Sequence, residues 1–396
     1  MISLFGNGKT TKALAKKLGG CQIFDDSFTC NDVDADGNML LPPCEFDPNT
    51  STLEIPSPGF PPQHTLIQQA RHLVSEYDFF EKSMPFSIWI SGTNGKTTTT
   101  QMCEHLLKAK GAVAGGNVGI PLAQLDPQAP IWILETSSFT FHYTQKAKPD
   151  IYLLLPIKPD HLSWHGSMEA YIEAKLSVLG RMREGSVAIV PNLYANTPSL
   201  AHIIGYDNEH DLCQKMGIDI AQIHFQTPFL LDAVLALCAE KILLDTHNYP
   251  LINTFKIDHY KIEEFRDSRG RLWVDDSKGT NVDATIEALK RYKDKEILLV
   301  LGGDDKGVDL QELFDFIKGL HVKIFAIGSN TERLATFAKN KEIWLHKCFF
   351  LEEAMKHIHT LHTLETIALL SPAAASLDQF TSYAHRGDRF KELALS

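Results

Sequence analysis

Phe86-Ser87-Ile88-Trp89-Ile90-Ser91-Gly92-Thr93-Asn94-Gly95-Lys96-Thr97-Thr98 decides the fold. An apolar run runs into a glycine turn, and a helical stretch from Thr99 to Lys110 follows. Strand, glycine turn and helix in that order make a phosphate cradle. The glycines let backbone N–H groups approach phosphate oxygens, Lys96 reaches the terminal phosphates, and the Thr97 hydroxyl suits Mg²⁺. Ile90 stands where the general phosphate-loop pattern has its first glycine, so the loop is a variant form. A glycine turn that merely ended a strand would explain neither the lysine nor the hydroxyls, so the motif implies ATP.

The segment before it, to about residue 84, repeats the theme more weakly. A strand at Ile2–Phe5, the turn Gly6-Asn7-Gly8-Lys9-Thr10, a helix through Leu18 and a second strand at Cys21–Phe24 end in Asp25-Asp26, a nucleotide-binding pattern. Ser3 replaces the first glycine of a full phosphate loop, which favours a turn that binds a nucleotide diphosphate over one that hydrolyses. Ile55-Pro56-Ser57-Pro58-Gly59-Phe60-Pro61-Pro62 is too proline-rich for regular structure and is expected to be a rigid surface loop.

After the cradle, apolar runs at Ile131–Glu135, Ile151–Pro156 and Val187–Pro191 alternate with helical stretches, as in a parallel sheet covered on both faces. Runs at Ile297–Leu301, Val322–Ile327 and Thr366–Leu370 repeat the arrangement, each closed by a small-residue turn. The reading is α/β throughout, in three domains: a Rossmann-like unit at 1–84, a central ATPase-like parallel sheet at 85–255 and a second Rossmann-like unit at 256–396.

Chemistry-bearing residues fall at strand ends, where open α/β sheets bind ligands. Glu135 closes one strand and suits Mg²⁺. His161, in Pro159-Asp160-His161, lands on the same edge. Lys175 lies in a helix expected from Ser167 to Met182, and its local context reads as an ordinary solvated charge. Asp276-Ser277-Lys278-Gly279-Thr280-Asn281, Gly302-Gly303-Asp304-Asp305-Lys306 and Ser371-Pro372-Ala373-Ala374-Ala375-Ser376 offer lysine, hydroxyl and amide donors together, which suits a small carboxylate. His357, His359 and His362 share a helical stretch without partners at metal-ligand spacing.

Composition bounds the rest. The 396 residues carry a net charge of −11, from 38 basic and 49 acidic residues, which argues against a general nucleic-acid binder. No run reaches membrane-spanning length, and Met1–Gly6 is not a signal segment. Seven scattered cysteines without a CxxC pair read as reduced thiols. A cytoplasmic protein is expected.

The chain resembles the Mur ligases of peptidoglycan synthesis. Gly92–Thr98, Gly116-Asn117-Val118-Gly119-Ile120-Pro121, Glu135-Thr136-Ser137-Ser138 and Asp160-His161 carry the resemblance to the broad family. The segments Asp276–Asn281 and Ser371–Phe380 carry it to the branch that adds D-glutamate. The resemblance implies an ATP-dependent ligase acting on UDP-N-acetylmuramoyl-L-alanine through an acyl phosphate. Gly92, Thr93, Asn94, Gly95, Lys96, Thr97 and Thr98 would hold ATP, with Lys261 and Asp276. Two Mg²⁺ would be held by Thr97, Glu135, His161 and Lys175, the last as a carbamate. Gly6, Asn7, Gly8, Lys9, Thr10, Asp25, Asp26, Ser57, Gly59, Asn117, Ser138 and His161 would contact the UDP-linked substrate. Lys278, Thr280, Lys306, Ser376, Leu377 and Tyr383 would surround D-glutamate. Lys96, His161 and Lys175 would be the catalytic set, in a protein expected to be a monomer. Tyr260-Lys261 replaces the family's His-Arg, and Thr227-Pro228-Phe229 stands where the family offers asparagine to adenine. Two alternatives share the cradle: a folylpolyglutamate-type ligase, and a nucleotide-dependent binding protein that ligates nothing.

Overall fold

The computed structural model describes residues 1–117 and 119–396; Val118 of the Gly116–Pro121 segment lies outside the described residues. Three sheets follow one another along the chain. The first comprises β1 (Ile2–Phe5), β2 (Gln22–Phe24), β3 (Asp32–Val33), β4 (Met39–Leu41) and β5 (Leu53–Pro56), in the order β3-β4-β2-β1-β5. Its strands are parallel except for the β3–β4 pair.

The second sheet holds β6 (Phe86–Ser91), β7 (Ala112–Gly116), β8 (Ile131–Glu135), β9 (Ile151–Leu154), β10 (Val187–Pro191) and β11 (His202–Tyr206), in the order β11-β10-β9-β6-β8-β7. Every pairing is parallel. Strand order reverses beside β6, so the cradle sits at the switch point where such sheets bind ligands. Ile88, Trp89, Ile90, Ile133, Leu134 and Leu153 are all fully or almost fully buried, as a strand covered on both faces requires.

The third sheet holds β12 (Glu263–Arg266), β13 (Leu272–Asp275), β14 (Glu296–Leu301), β15 (Val322–Ile327), β16 (Leu345–Phe349) and β17 (Thr366–Leu370), in the order β12-β13-β17-β14-β15-β16. Only the β12–β13 pair is antiparallel among the described pairings.

The chain forms two compact units, Met1–Phe255 and Lys256–Ser396. Within the first, the helix-covered face of sheet one and the core of sheet two are continuous: Leu4, Leu14 and Ile23 share a cluster with Tyr77, Trp89 and Leu134. The opposite face of sheet one has its own aromatic core of Phe5, Phe24, Phe46 and Phe60.

Three local expectations are corrected. Ile55 and Pro56 are not loop but the end of β5, paired with Leu4 and Phe5. Proline is tolerated there because β5 is an edge strand. The cradle helix starts at Lys96, three residues earlier than the apolar pattern suggests, because Gly95 in left-handed geometry (φ 86°) turns the chain directly into it. The helix bearing Lys175 spans only Met168–Leu176. Ser177 Oγ donates back to the Ala174 carbonyl at 2.8 Å and Gly180 follows, which breaks the run into a short 3₁₀ turn at Leu179–Arg181.

Candidate active site

At the C-terminal edge of β6, Gly92 and Gly95 admit no other residue. Both have positive φ (139° and 86°), and a Cβ on Gly92 would lie 2.5 Å from Leu155 Cβ. A Cβ on Gly95 would lie 2.5 Å from Asp232 Oδ1. Gly95 caps the helix without a side-chain bond, and no acid occupies the first turn, so the amides there and the positive end of the helix face the loop. Thr93 fastens the loop: its Oγ1 donates to the Lys158 carbonyl (3.0 Å), accepts the Lys158 amide (2.9 Å) and meets Tyr171 OH (3.1 Å).

Lys96 Nζ curls back onto the Thr93 carbonyl at 2.7 Å. Burial lowers its pKa, opposed by the charges of Glu135 and Asp160. Thr97 is half-buried in the same first turn. Glu135, 2% exposed, accepts Asn117 Nδ2 on Oε1 at 2.8 Å; its Oε2 is buried with no hydrogen-bond partner among the described residues. An orphaned carboxylate oxygen beside a lysine and an open helix start is a donor set that fits a phosphate-bound Mg²⁺. Among the described residues no three His, Cys, Asp or Glu side chains gather as a cage. A cation drawing its remaining ligands from phosphate and water needs none.

Lys175 departs most from its local sequence context. It is 1% exposed, not a solvated charge. Its Nζ donates to the Gly92 carbonyl at 2.7 Å and to Ser91 Oγ at 3.3 Å, and lies 4.7 Å from the centroid of the Tyr171 ring. Burial drives its pKa well below the ordinary lysine range, Lys96 pushes it further, and Asp160 and Glu135 pull against both. The structure thus brings Lys96, Glu135, Asp160 and Lys175 into one electrostatic neighbourhood. His161 sits at its margin in left-handed geometry (φ 54°), with its side chain 43% exposed and its ring 4.8 Å from that of Phe139.

Ser138 is 2% exposed and meets His165 Nε2 at 2.9 Å. His165 stacks on Phe139, and burial, with the charges of His142, His161 and Lys175, lowers its pKa to about 4.

At the edge of the first sheet, Gly6–Thr10, Asp25, Ser57 and Gly59 come together. The Asn7 amide donates to Asp25 Oδ2 at 2.6 Å, the Ser57 amide to the Phe5 carbonyl at 2.7 Å, and Trp164 Nε1 to the Gly59 carbonyl at 3.3 Å. Burial would raise the pKa of Asp25, but bonds from Ser27 and Asn7 and the charge of Lys12 hold it below the usual range. Asp26 points away, exposed and 3.2 Å from His64 Nε2. A groove of about 650 Å³, lined by Asn7, Lys9, Lys12, Lys16 and Gly119 among others, runs alongside.

In the third sheet the three ligand loops are tied to one another. Asp304 and Ala375 exchange backbone bonds of 3.0 and 2.9 Å, and the Gly303 amide donates to Asn330 Oδ1 at 3.1 Å. Arg386, 1% exposed, donates from Nε to Ser277 Oγ (3.0 Å) and from Nη2 to the carbonyls of Ser277 (2.9 Å) and Ala374 (3.2 Å). Asp276 is turned inward, accepting Ser371 Oγ at 2.7 Å and the Ile262 amide at 3.3 Å. Burial, aided by the charge of Asp275 and opposed by those two bonds, raises its pKa to about 8. Lys278 Nζ lies 5.5 Å from the Tyr383 ring centroid. Leu377 is 71% exposed, while Ser376 is buried and Thr280 and Lys306 are exposed on their loops. Lys261 Nζ lies 3.3 Å from Asp258 Oδ2. The three histidines of the 351–361 helix region have structural partners: His357 pairs with Glu353, His359 with Arg271 and the Leu393 carbonyl, and His362 with Thr366.

Sequence reasoning quoted Asp160 without giving it a role, and missed Tyr171, Asp232 and Arg386. Only Asp160 had a signal, its place one residue before His161 at a strand-end loop; the others act across folds of chain that no local pattern connects.

A model of the Mur ligase middle domain matches residues 90–209. A UDP-N-acetylmuramoylalanine–D-glutamate ligase of Campylobacter jejuni subsp. jejuni is 59% identical over 99% of this chain and 98% of its own length. A ligase of the same name from Helicobacter pylori is 45% identical over 100% and 99%. Among solved structures, a MurF ligase from Thermotoga maritima in complex with ADP superposes with a TM-score of 0.62 at 17% identity, covering 99% of this chain and 97% of that one. FolC of Escherichia coli in complex with ADP gives 0.57 at 16% identity, covering 80% and 92%. These two show the fold alone. The full-length identities show more: the chain belongs to the Mur ligases, in their UDP-N-acetylmuramoylalanine–D-glutamate ligase branch.

Proposed function

We propose that the edge of the second sheet performs the ATP-dependent step of D-glutamate ligation, with the first sheet holding the UDP end of the substrate and the third holding the amino acid. The chain is an ATP-dependent ligase of peptidoglycan precursor synthesis, acting through an acyl phosphate. The division of labour among 1–84, 85–255 and 256–396 is our reading of where the ligand loops fall.

The alanyl carboxylate of UDP-N-acetylmuramoyl-L-alanine attacks the γ-phosphorus of ATP, and ADP leaves. Lys96 leaves the Thr93 carbonyl for the phosphates, and the amides of Gly92–Thr98 cradle them. Thr97 and Glu135 would hold Mg²⁺, which neutralises phosphate charge when bound. Burial drives the Lys175 pKa well below the ordinary lysine range, which favours the neutral amine, the form that adds to CO₂ with loss of a proton. Such a carbamate would offer oxygen ligands, with His161, to a second Mg²⁺ that would neutralise phosphate charge. The amine of D-glutamate then attacks the acyl carbonyl and phosphate departs, with His161 as the candidate acceptor of the ammonium proton. We assign Asn117 and Ser138 to the muramoyl end, Lys261 and the loop that the inward-turned Asp276 shapes to the nucleotide, and Lys278, Thr280, Lys306, Ser376, Leu377 and Tyr383 to the amino acid. A monomer in the cytoplasm, where ATP and UDP-linked precursors occur, completes the reading. Among the described residues no helix is long and apolar enough to cross a membrane.

The observation that carries this is the pair of desolvated lysines behind an obligatory-glycine loop. Phosphate release with ATP, Mg²⁺ and UDP-N-acetylmuramoyl-L-alanine should require D-glutamate, and L-glutamate, D-aspartate and L-lysine should fail to replace it. Equal stimulation by L-lysine, or release independent of any amino acid, would overturn it.

A further inference from the structure

Ser75–Asp78, just before the second sheet, makes more directed contacts with that sheet's loops than any role given so far requires. Ser75 Oγ accepts the Asp78 amide (3.0 Å) and the Thr144 hydroxyl (2.9 Å). Glu76, 5% exposed, accepts the Ala123 amide on Oε1 at 3.2 Å, while the Ala123 carbonyl accepts Lys17 Nζ at 3.3 Å. Tyr77, 2% exposed, donates to the Glu135 carbonyl at 3.2 Å and meets Thr136 Oγ1 at 3.2 Å. Asp78 accepts the amides of Gln145, Lys146 and Ala147, each at 2.8 Å. Ser75, Tyr77 and Asp78 thus hold both ends of the segment from Glu135 to Ala147, and Glu76 holds Ala123, beyond the Gly116–Pro121 loop.

The geometry is tightest at Tyr77. The Asn117 amide and Tyr77 OH share one acceptor, the Glu135 carbonyl, at 2.8 and 3.2 Å. A Cβ on Gly116 would lie 2.4 Å from that carbonyl oxygen and 2.8 Å from Tyr77 OH, so the backbones meet here without slack. The Tyr77 ring also stands edge-on to Trp89 of β6, 4.7 Å between centroids. We propose that Ser75–Asp78 is a brace that sets the relative position of Asn117 and Glu135, and that Tyr77 is its positioning residue for binding the UDP-linked substrate. Tyr77 does not touch substrate. It fixes the Glu135 carbonyl, to which the Asn117 amide is also anchored. The inference rests on the reading of Asn117 as a substrate contact.

The test measures the dissociation constant of UDP-N-acetylmuramoyl-L-alanine by calorimetry without ATP or Mg²⁺, together with steady-state constants, thermal unfolding, and amide exchange of the peptide carrying Gly116 and Asn117. Three variants of the full chain are compared: Tyr77→Phe, Glu76→Gln and Asn117→Ala. Tyr77→Phe keeps the ring against Trp89 and should weaken substrate binding by about tenfold, the worth of about one hydrogen bond, with faster exchange at Asn117. Its ATP KM should stay within about twofold, a change worth less than one hydrogen bond. Glu76→Gln retains an acceptor for Ala123 and should bind as the parent does. If Asn117→Ala weakens binding while Tyr77→Phe lowers only the unfolding temperature, the brace inference is wrong and the site reading stands. If Asn117→Ala binds normally, the site reading itself fails.

Discussion

The ligand edges of the second and third sheets solve the same problem in opposite ways. At the second, the loop is shaped by glycines that no side chain can replace, and two lysines are desolvated against its Thr93 and Gly92 carbonyls. At the third, the loops are bonded to one another, and the buried cation Arg386 is spent on protein oxygens. The first edge keeps lysine amines available for reacting groups; the second fixes a shape for a small ligand. Basic side chains in similar burial therefore predict opposite outcomes when removed.

The sharpest way to break that contrast is at Lys175. Lys175→Met should lower turnover by about a thousandfold, comparable to losing a preorganised electrostatic group, while leaving the unfolding temperature unchanged or higher, since a desolvated buried amine is replaced by apolar volume. In Lys175→Ala, short carboxylates added to the assay should restore part of the rate. Full activity without them would return Lys175 to a structural role. Arg386→Lys should do the reverse. Losing the planar fork that holds Ser277 and Ala374 should cost about 3 kcal/mol of stability and raise the D-glutamate KM, with the ATP KM unchanged. Calorimetric melting beside steady-state kinetics checks both. An ATP-specific defect would erase the distinction between the two edges.

Asp276 adds a pH dependence to the contrast. Its folded pKa, about 8, lies above the unfolded value near 3.8, so the folded state holds the extra proton between those limits. Stability is therefore present below about pH 4 and declines as pH rises towards about 8. Asp276→Asn keeps a partner for Ser371 and should flatten that decline in melts across the window. An unchanged slope would assign the titration to another group.

The same contrast explains what was legible in the chain. Gly92, Gly95, Lys96 and Glu135 could be read because backbone geometry and strand-end position are local properties that a short window records. Lys175 could not, because its helix carries little amphipathic signal and the loop that buries it lies more than eighty residues earlier. The family resemblance supplied that residue; periodicity did not. Arg386 and Tyr77 escaped for the same reason, since each bonds mainly to main-chain atoms of distant loops, which leave no trace in side-chain pattern. The Pro56 reading failed because a proline-rich stretch and an edge strand look alike until the neighbouring strand is known.

Arg386 also has a consequence in the order of synthesis. It is translated after every strand of the third sheet, in the helix Tyr383–Leu395, yet it joins loops that follow β13 and β17. A nascent chain can complete its nucleotide cradle long before this, whereas the Ser277 and Ala374 loops lack their shared cation until that last helix leaves the ribosome and docks. A message broken after β17 would therefore encode the whole nucleotide cradle and none of the bonds that Arg386 makes to Ser277 and Ala374.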